Sequence, residues 1–298
     1  RFQTDWPRLQ AEFGFADRRG LPQDSAAKES GGDRAGLTIV AAVQVSLSDP
    51  HRSGRTVSIL TLEGGVKIVY KPRSLGLDRA FSKLLAWINS HDDLLALRPL
   101  AVLDCGTHGW MEYVEHRACQ TEDEVRRYYE RAGQMLCLAY LLQGSDIHAE
   151  NIIASGEHPA FIDLEMIFQA NMRHPLDPPG LGLGGGETAL QQRVINSVGR
   201  TALLPAWMIG PSGRAWDISG LGAVTEAQGV YQRPHWQNVN SDAMSLEQAY
   251  PTIQPGHNTP RLNDQIAEPN DYLTELTSGF ERMYRWLMGR RADVPVHG

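Results

Sequence analysis

The chain has 298 residues, 42% of them hydrophobic, with 28 basic and 35 acidic side chains giving a formal charge of −7; that suits a globular protein able to bury its core without staples. The mild acidity, the lack of a Lys/Arg cluster with interleaved aromatics, the lack of any apolar run of membrane-spanning length and an opening, RFQTDWPRLQ, unlike a signal peptide argue against nucleic-acid and membrane partners. Cys105, Cys119 and Cys137 form no C-x-x-C, which points away from a disulfide framework or zinc ribbon and toward a reducing, cytoplasmic setting.

Residues 1–15 read as a short helix with Phe2, Trp6, Leu9 and Phe13 on one side, followed by a polar, Gly-rich linker to about residue 36. LTIVAAVQVSL and RTVSILTLEGGVKIVYKP are rich in β-branched residues, and Gly64-Gly65 marks a hairpin turn, so a small antiparallel sheet is predicted. LDRAFSKLLAWIN then switches to helical spacing, with Leu77, Phe81, Leu84, Leu85 and Ile88 along one stripe. Strands around LAVLDCG and GWMEYVEH come next, and then a long helix from about Glu122 to Gln143 with a capping-box start at Thr121 and Glu124. From about 168 onward the pattern loosens: a proline-rich stretch and GLGLGGG predict a loop near 170–195, while INSVGRTALLPAWMIG and DYLTELTSGFERMYRWLM read as helical pieces.

Chemistry concentrates in SDIHAENIIASGEHPAFIDLE, residues 145–165. The stretch reads as loop, short strand, tight turn, short strand and acid, so Asn151 before the first strand and Asp163 after the second are brought together at the root of a hairpin. An Asn oxygen and a carboxylate so placed make a hard-oxygen site suited to Mg²⁺ on nucleotide phosphates. Asp146, in the preceding loop, can accept a hydroxyl proton. This is the layout of a kinase catalytic loop and its metal-binding Asp, although the surrounding letters differ from the common forms. It demands a fixed cation upstream, and VKIVYKPRSL supplies Lys71 at a strand end; Lys67, four residues earlier, shares neither the strand end nor the Pro stop.

Other candidates carry less. No strand precedes GLGLGGG and no Lys-Ser/Thr follows it, so it reads as a loop rather than a phosphate cradle. Asp49 and His51 in SDPHRSGRTV fit metal ligands, an acid/base pair or merely a turn before a strand. Trp87, Trp110, Trp207 and Trp236 read as core or interface anchors, and His91, His158 and His174 are assigned nothing.

SDPHRSGRTV, VYKPRSL, FSKLLAWIN, GWMEYVEH, VRRYYERAGQML, DIHAENIIASG, FIDLEMIF, SVGRTALLP, DISGLG and NVNSDAM, in this order from about residue 45 to 285, resemble the dehydratase domain of class II lanthipeptide synthetases of the LanM type. The resemblance implies an α+β, two-lobed protein/lipid-kinase-like fold: a helix and linker at 1–36, a small antiparallel sheet lobe at 37–116 and a mainly helical lobe at 117–298. It implies ATP and Mg²⁺ as cofactors, and as substrate a ribosomally made precursor peptide with leader and core, whose Ser and Thr are phosphorylated and then lose phosphate. Lys71 would hold nucleotide phosphates and Asp146 would orient or deprotonate the hydroxyl. His148 would support that loop, Asn151 and Asp163 would bind Mg²⁺, and Glu165 would assist near the metal or the transferred phosphate. Asp49 and His51 match residues of the elimination half; apart from the resemblance, proximity to the Lys71 strand and the Asp49 turn makes Arg73 or Arg55 the expected cation for the departing phosphate. Ser48 stands where the family has Gly, and Ser241 where it has Thr. An opening residue other than Met, and an end that precedes a downstream Arg and Thr and the family's zinc-dependent cyclase domain, predict an excerpt of a longer enzyme that has that cyclase as partner.

The competing readings are a kinase-shaped module that only holds a leader peptide, and an atypical small-molecule or lipid kinase. The intact set of Lys71, Asp146, Asn151 and Asp163 argues against the first, and the flanking motifs against the second.

Overall fold

Alternation in VKIVYKP makes β3 (Lys67–Lys71) the middle strand of a five-stranded antiparallel sheet with β1 (Val40–Gln44), β2 (Ser58–Leu62), β4 (Val102–Asp104) and β5 (Gly109–Glu112), in the order β1-β2-β3-β5-β4. It is seen in a computed structural model that describes residues 1–14, 40–48, 54–168, 196–291 and 293. The linker, Asp49, His51, His174 and the GLGLGGG loop lie outside the described residues. Two compact units result, Arg1–Ile88 with Pro99–Tyr113, and Asn89–Arg98 with Val114–Gly298.

In the first unit, Gly64 and Gly65 turn β2 into β3 at φ 87° and 81°, a conformation glycine adopts without steric cost. Leu60, Ile68, Leu103 and Trp110 form one buried face, against which Leu9 is fully buried and Phe2, Trp6 and Phe13 pack. These come from α1 (Phe2–Phe13), which ends on left-handed Gly14. The sequence sets this helix apart with the linker at 1–36; instead it is part of the sheet's core. Its Asp5 is buried as well, accepting bonds from Trp110 Nε1 (3.0 Å) and His108 Nε2 (2.7 Å), and those bonds make an acid tolerable there.

The helix α2 (Gly76–Asn89) buries Asp78, Phe81, Leu85 and Ile88, while Leu77, placed on the apolar stripe by the sequence, points outward. Asp78 rather than a hydrophobe takes the first turn because Arg73 forks onto both its oxygens at 2.8 and 3.3 Å.

The second unit is built on α3 (Glu122–Leu141) and α4 (Leu273–Gly289). Thr121 accepts from Glu124 N at 3.2 Å, the N-cap half of the box that the S/T-x-x-E pattern predicts, while the Glu124 carboxylate takes the N–H of Gln120, one residue before the cap, at 2.6 Å. The helices cross so closely that a Cβ on Gly133 would overlap the Leu276 carbonyl, and one on Gly279 the Glu130 carbonyl. Residues 89–98 join this unit because Arg131 donates to Ala96 O (2.8 Å), while Trp286 (3.0 Å) and Arg290 (2.7 Å) both bond Asp93.

Five two-stranded antiparallel ladders accompany these helices among the described residues, so the unit is less helical than the sequence suggests. INSVGRTALLPAWMIG is the clearest departure: one 3₁₀ turn at Val198–Thr201 is stopped by left-handed Ala202 (φ 60°) and by Pro205, and WMI continues as strand β8 (Trp207–Ile209), paired with β9 (Ala215–Asp217). Among the described residues no helix is long and apolar enough to cross a membrane.

Candidate functional site

Beyond α3 the chain runs through Gln143 and Asp146, both in the left-handed region at φ 58° and 63°. For a non-glycine residue this costs of order 1 kcal/mol and persists only where the surroundings enforce it. At Asp146 three neighbouring peptide bonds supply the enforcement: Ser145 N donates to Met166 O (3.1 Å), Ile147 N to Thr201 O (2.8 Å) and Ala149 N to Ile218 O (2.9 Å). A loop this tightly tied fixes the backbone from which the exposed Asp146 carboxylate projects.

A 3₁₀ turn, Ala149–Asn151, leads into β6 (Ile152–Ser155), which pairs with β7 (His158–Phe161) in the register Ile152↔Phe161 and Ser155↔His158. Ile162 N donates to Asn151 O at 2.9 Å, so Asn151 sits one residue from Asp163 across the hairpin root, as the spacing predicts. Asn151 Nδ2 donates to Asp146 O at 2.8 Å, which leaves Oδ1 as its side-chain acceptor. That oxygen and the Asp163 carboxylate belong to the two chain ends that meet at the hairpin root, and both are hard-oxygen donors of the kind that would suit a divalent cation such as Mg²⁺. His148 Nδ1 accepts from Glu150 N at 3.3 Å, and its Nε2 lies 3.2 Å from Asn151 Nδ2 and 3.6 Å from Asp146 Oδ1. The imidazole therefore lies among the loop's polar groups as a brace. Glu165 is exposed, its backbone N–H on Asp163 Oδ1 at 3.4 Å.

The far end of the hairpin is fixed too. Glu157 in its turn takes Arg127 Nε and, at 3.2 Å, Arg131 Nη2, while Arg131 Nη1 donates to the Glu157 carbonyl. Burial opposes ionisation of Glu157, but these arginines outweigh it and hold the carboxyl below its usual range.

Behind the loop stands DISGLG, 217–222. Asp217 accepts from Ser219 N (2.9 Å) and Ala223 N (3.3 Å), shaping a turn whose Gly220 lies so close to Ile147 that a Cβ would overlap that residue's carbonyl. From buried Asn258, Nδ2 donates to the carbonyls of Gly220 (3.1 Å) and Gly222 (2.7 Å). Arg200 bonds Gln143 Oε1 at 2.7 Å and the Tyr140 carbonyl, fixing the end of α3. No role is assigned to these residues from sequence, although SVGRTALLP and DISGLG stand out there as motifs; long-range partners leave no periodicity to read.

In the first unit Lys71 ends β3, opposite Gly109, with only 4% of its surface exposed. A lysine so buried is held at one point rather than sweeping through solvent, which suits a fixed phosphate anchor. Lys67, at the other end of the strand, is exposed, its Nζ 4.8 Å from the Tyr113 ring. Arg73 is paired with Asp78, so it reaches a phosphate only by exchanging that pair, and Arg55 is exposed. The buried thiols of Cys119 and Cys137 are pushed up to about 11 and about 12 by desolvation, and all three cysteines are unpaired in disulfide terms.

The family model described as "Domain of unknown function (DUF4135)" matches residues 1–297. The chain is also similar to the lacticin 481/lactococcin biosynthesis protein LcnDR2 of Lactococcus lactis subsp. lactis, 27% identical over 258 residues, which cover 83% of this chain and 27% of the relative. It thus spans about a quarter of that relative's length.

Proposed function

The chain belongs to the DUF4135 family, and on that footing we propose that it modifies a lanthipeptide precursor, dehydrating Ser and Thr by ATP-dependent phosphorylation followed by phosphate elimination. The biosynthetic role named for its lactococcal relative supports the substrate class. The single observation that carries the chemistry is the hairpin root, where Asn151 is bonded both to the Asp146 carbonyl and to the residue before Asp163.

In this reading the two units are the lobes of a kinase-like fold. Lys71 binds nucleotide phosphates, and Asp146 orients the peptide hydroxyl and takes its proton as the oxygen bonds to the γ-phosphorus and ADP departs. Asn151 and Asp163 would hold Mg²⁺, which when bound neutralises charge on the phosphates. His148 braces the loop and Glu165 assists near the metal or the transferred phosphate. Elimination then removes the α-proton and breaks the Cβ–O bond, giving the dehydroamino acid and inorganic phosphate; Asp49 and His51 are assigned to this half.

The test is to incubate the chain with ATP, Mg²⁺ and a Ser/Thr-rich precursor peptide and read peptide masses. Loss of water supports the whole proposal, and gain of phosphate supports the kinase half alone. No change in mass, with the peptide still bound, would replace it with a leader-holding module.

A further inference from the structure

The turn Cys105-Gly106-Thr107-His108 joins β4 to β5, closed by Cys105 N donating to His108 O (2.9 Å) and Thr107 N to Cys105 O (3.0 Å), with Gly106 at φ 80°. This C-x-x-H spacing across a hairpin turn is the one by which a knuckle offers two side chains to one metal ion. Asp5, from α1, joins them: one ligand atom from each of Asp5, Cys105 and His108 lies within 4.8 Å of the others. Small side-chain rotations bring such a spread to the edges of a tetrahedron with bonds of about 2.0–2.3 Å. Trp110 Nε1, 3.0 Å from Asp5 Oδ2, is the outer-shell partner that orients the carboxylate.

We propose that Asp5, Cys105 and His108 form a three-ligand Zn²⁺ site that clamps α1 onto the β4–β5 hairpin, with a solvent molecule in the open fourth position. A thiolate and an imidazole select zinc over Mg²⁺, which prefers oxygen. The site is therefore chemically distinct from the oxygen pair of Asn151 and Asp163. Arg8 now donates to Cys105 Sγ (3.4 Å) and to Asp104 O (3.0 Å); it is exposed, and it turns away when the sulfur ligates metal. Metal-free, the same residues keep the His108–Asp5 hydrogen bond at 2.7 Å, which defines the competing outcome.

Co²⁺ titrated alone into the chelator-stripped 298-residue chain should produce a thiolate-to-metal absorption and strong tetrahedral d–d bands, saturating at equimolar metal and displaced by Zn²⁺. Cys105→Ser should abolish the thiolate band and Cys119→Ser should keep it. Asp5→Asn and His108→Gln should weaken binding by more than the roughly 10–100-fold that losing an outer-shell partner costs. Two further measurements need no variant: Zn²⁺, and not Mg²⁺, should raise the thermal midpoint and slow alkylation of Cys105 mapped by mass spectrometry. The proposal fails if the folded chain shows no thiolate band with Co²⁺, if the band survives Cys105→Ser, or if Zn²⁺ leaves both midpoint and alkylation unchanged; the cluster is then a hydrogen-bonded clasp only.

Discussion

Asn151 donates its side-chain amide to the backbone carbonyl of Asp146 at 2.8 Å, so the residue proposed to offer an oxygen to Mg²⁺ also fixes the loop that carries the proposed base. The two functions separate by mutation. Asp146→Asn keeps the loop's backbone bonds and removes only the basic oxygen, so phosphate transfer to a precursor peptide should fall by roughly 10²–10⁴-fold with an unchanged melting temperature. Asn151→Ala removes oxygen and loop bond together and should lose activity while also raising the Mg²⁺ needed for half-maximal rate. Steady-state rates against Mg²⁺ concentration distinguish these; equal Mg²⁺ dependence in both variants would reject Asn151 as a ligand.

The two ends of β3 provide a second comparison. Lys71 is buried and Lys67 exposed against Tyr113, although both are lysines of one five-residue strand. Lys71→Met, which keeps the length of the stem, should abolish labelling by an ATP-analogue photoprobe without unfolding the unit. Lys67→Met should leave labelling within about a factor of two, the order expected for an exposed side chain worth a few tenths of a kcal/mol.

Asp49 and His51 are proposed to act in elimination rather than transfer. On the proposed reaction, Asp49→Asn and His51→Asn should each leave phosphopeptide accumulating where the unaltered chain is expected to give dehydrated product. Intact mass spectrometry of the peptide decides this, and dehydrated product from both variants would remove the assignment.

The hairpin at the site was open to inspection in the sequence because its determinants are local. The apolar pair Ile152-Ile153 and the apolar run Ala160-Phe161-Ile162 flank a glycine turn, and that spacing alone carries Asn151 to within one residue of Asp163. The sheet was legible for the same reason, with alternation in SILTL and KIVYK and the paired glycines between them. What stayed hidden rests on partners far along the chain. Asp5 looks like an ordinary helix-surface acid until Trp110 and His108 arrive from over a hundred residues away. Arg73 reads as a free cation beside Lys71 until Asp78 is seen to be buried beneath it. Ala-Leu-Leu-Pro-Ala-Trp-Met-Ile satisfies a helical pattern, yet its proline and the pairing of WMI with AWD override that pattern.

Gly220 tests whether the backing turn matters to the site. Gly220→Ala puts a methyl into the Ile147 carbonyl and within 2.7 Å of Leu203 Cδ1, so the loop carrying Asp146 must shift. Overpacking of this kind costs about 1–3 kcal/mol, and turnover should fall even at temperatures where the variant stays folded. Gly156→Ala is the control, since its added Cβ meets nothing within 4 Å and only the φ of 58° is strained. It should cost about 1 kcal/mol and leave turnover per folded molecule unchanged.

Acid should loosen the same hairpin through His158, which begins β7 beside Glu157. Burial, then the charge of Arg131, hold its imidazole down to about 4, with Glu157 opposing and Arg98 and Arg127 reinforcing the shift. Between the unfolded value near 6.5 and about 4 the unfolded chain binds a proton that the folded one refuses, so stability rises with pH across that window. The contribution is complete above pH ~6.5, shrinks as pH falls and is gone below ~4, a change of about 1–3 kcal/mol after allowance for the ring's partial exposure. Glu157 acts in the same direction at lower pH: its depressed carboxyl stabilises the fold above the ordinary carboxylate range and stops doing so once protonated. Urea melts at stepped pH should therefore show the midpoint falling from pH 6.5 toward 4. His158→Gln should flatten that part of the curve while leaving the Glu157 limb below it, and an unaltered slope in the variant would place the acid sensitivity elsewhere.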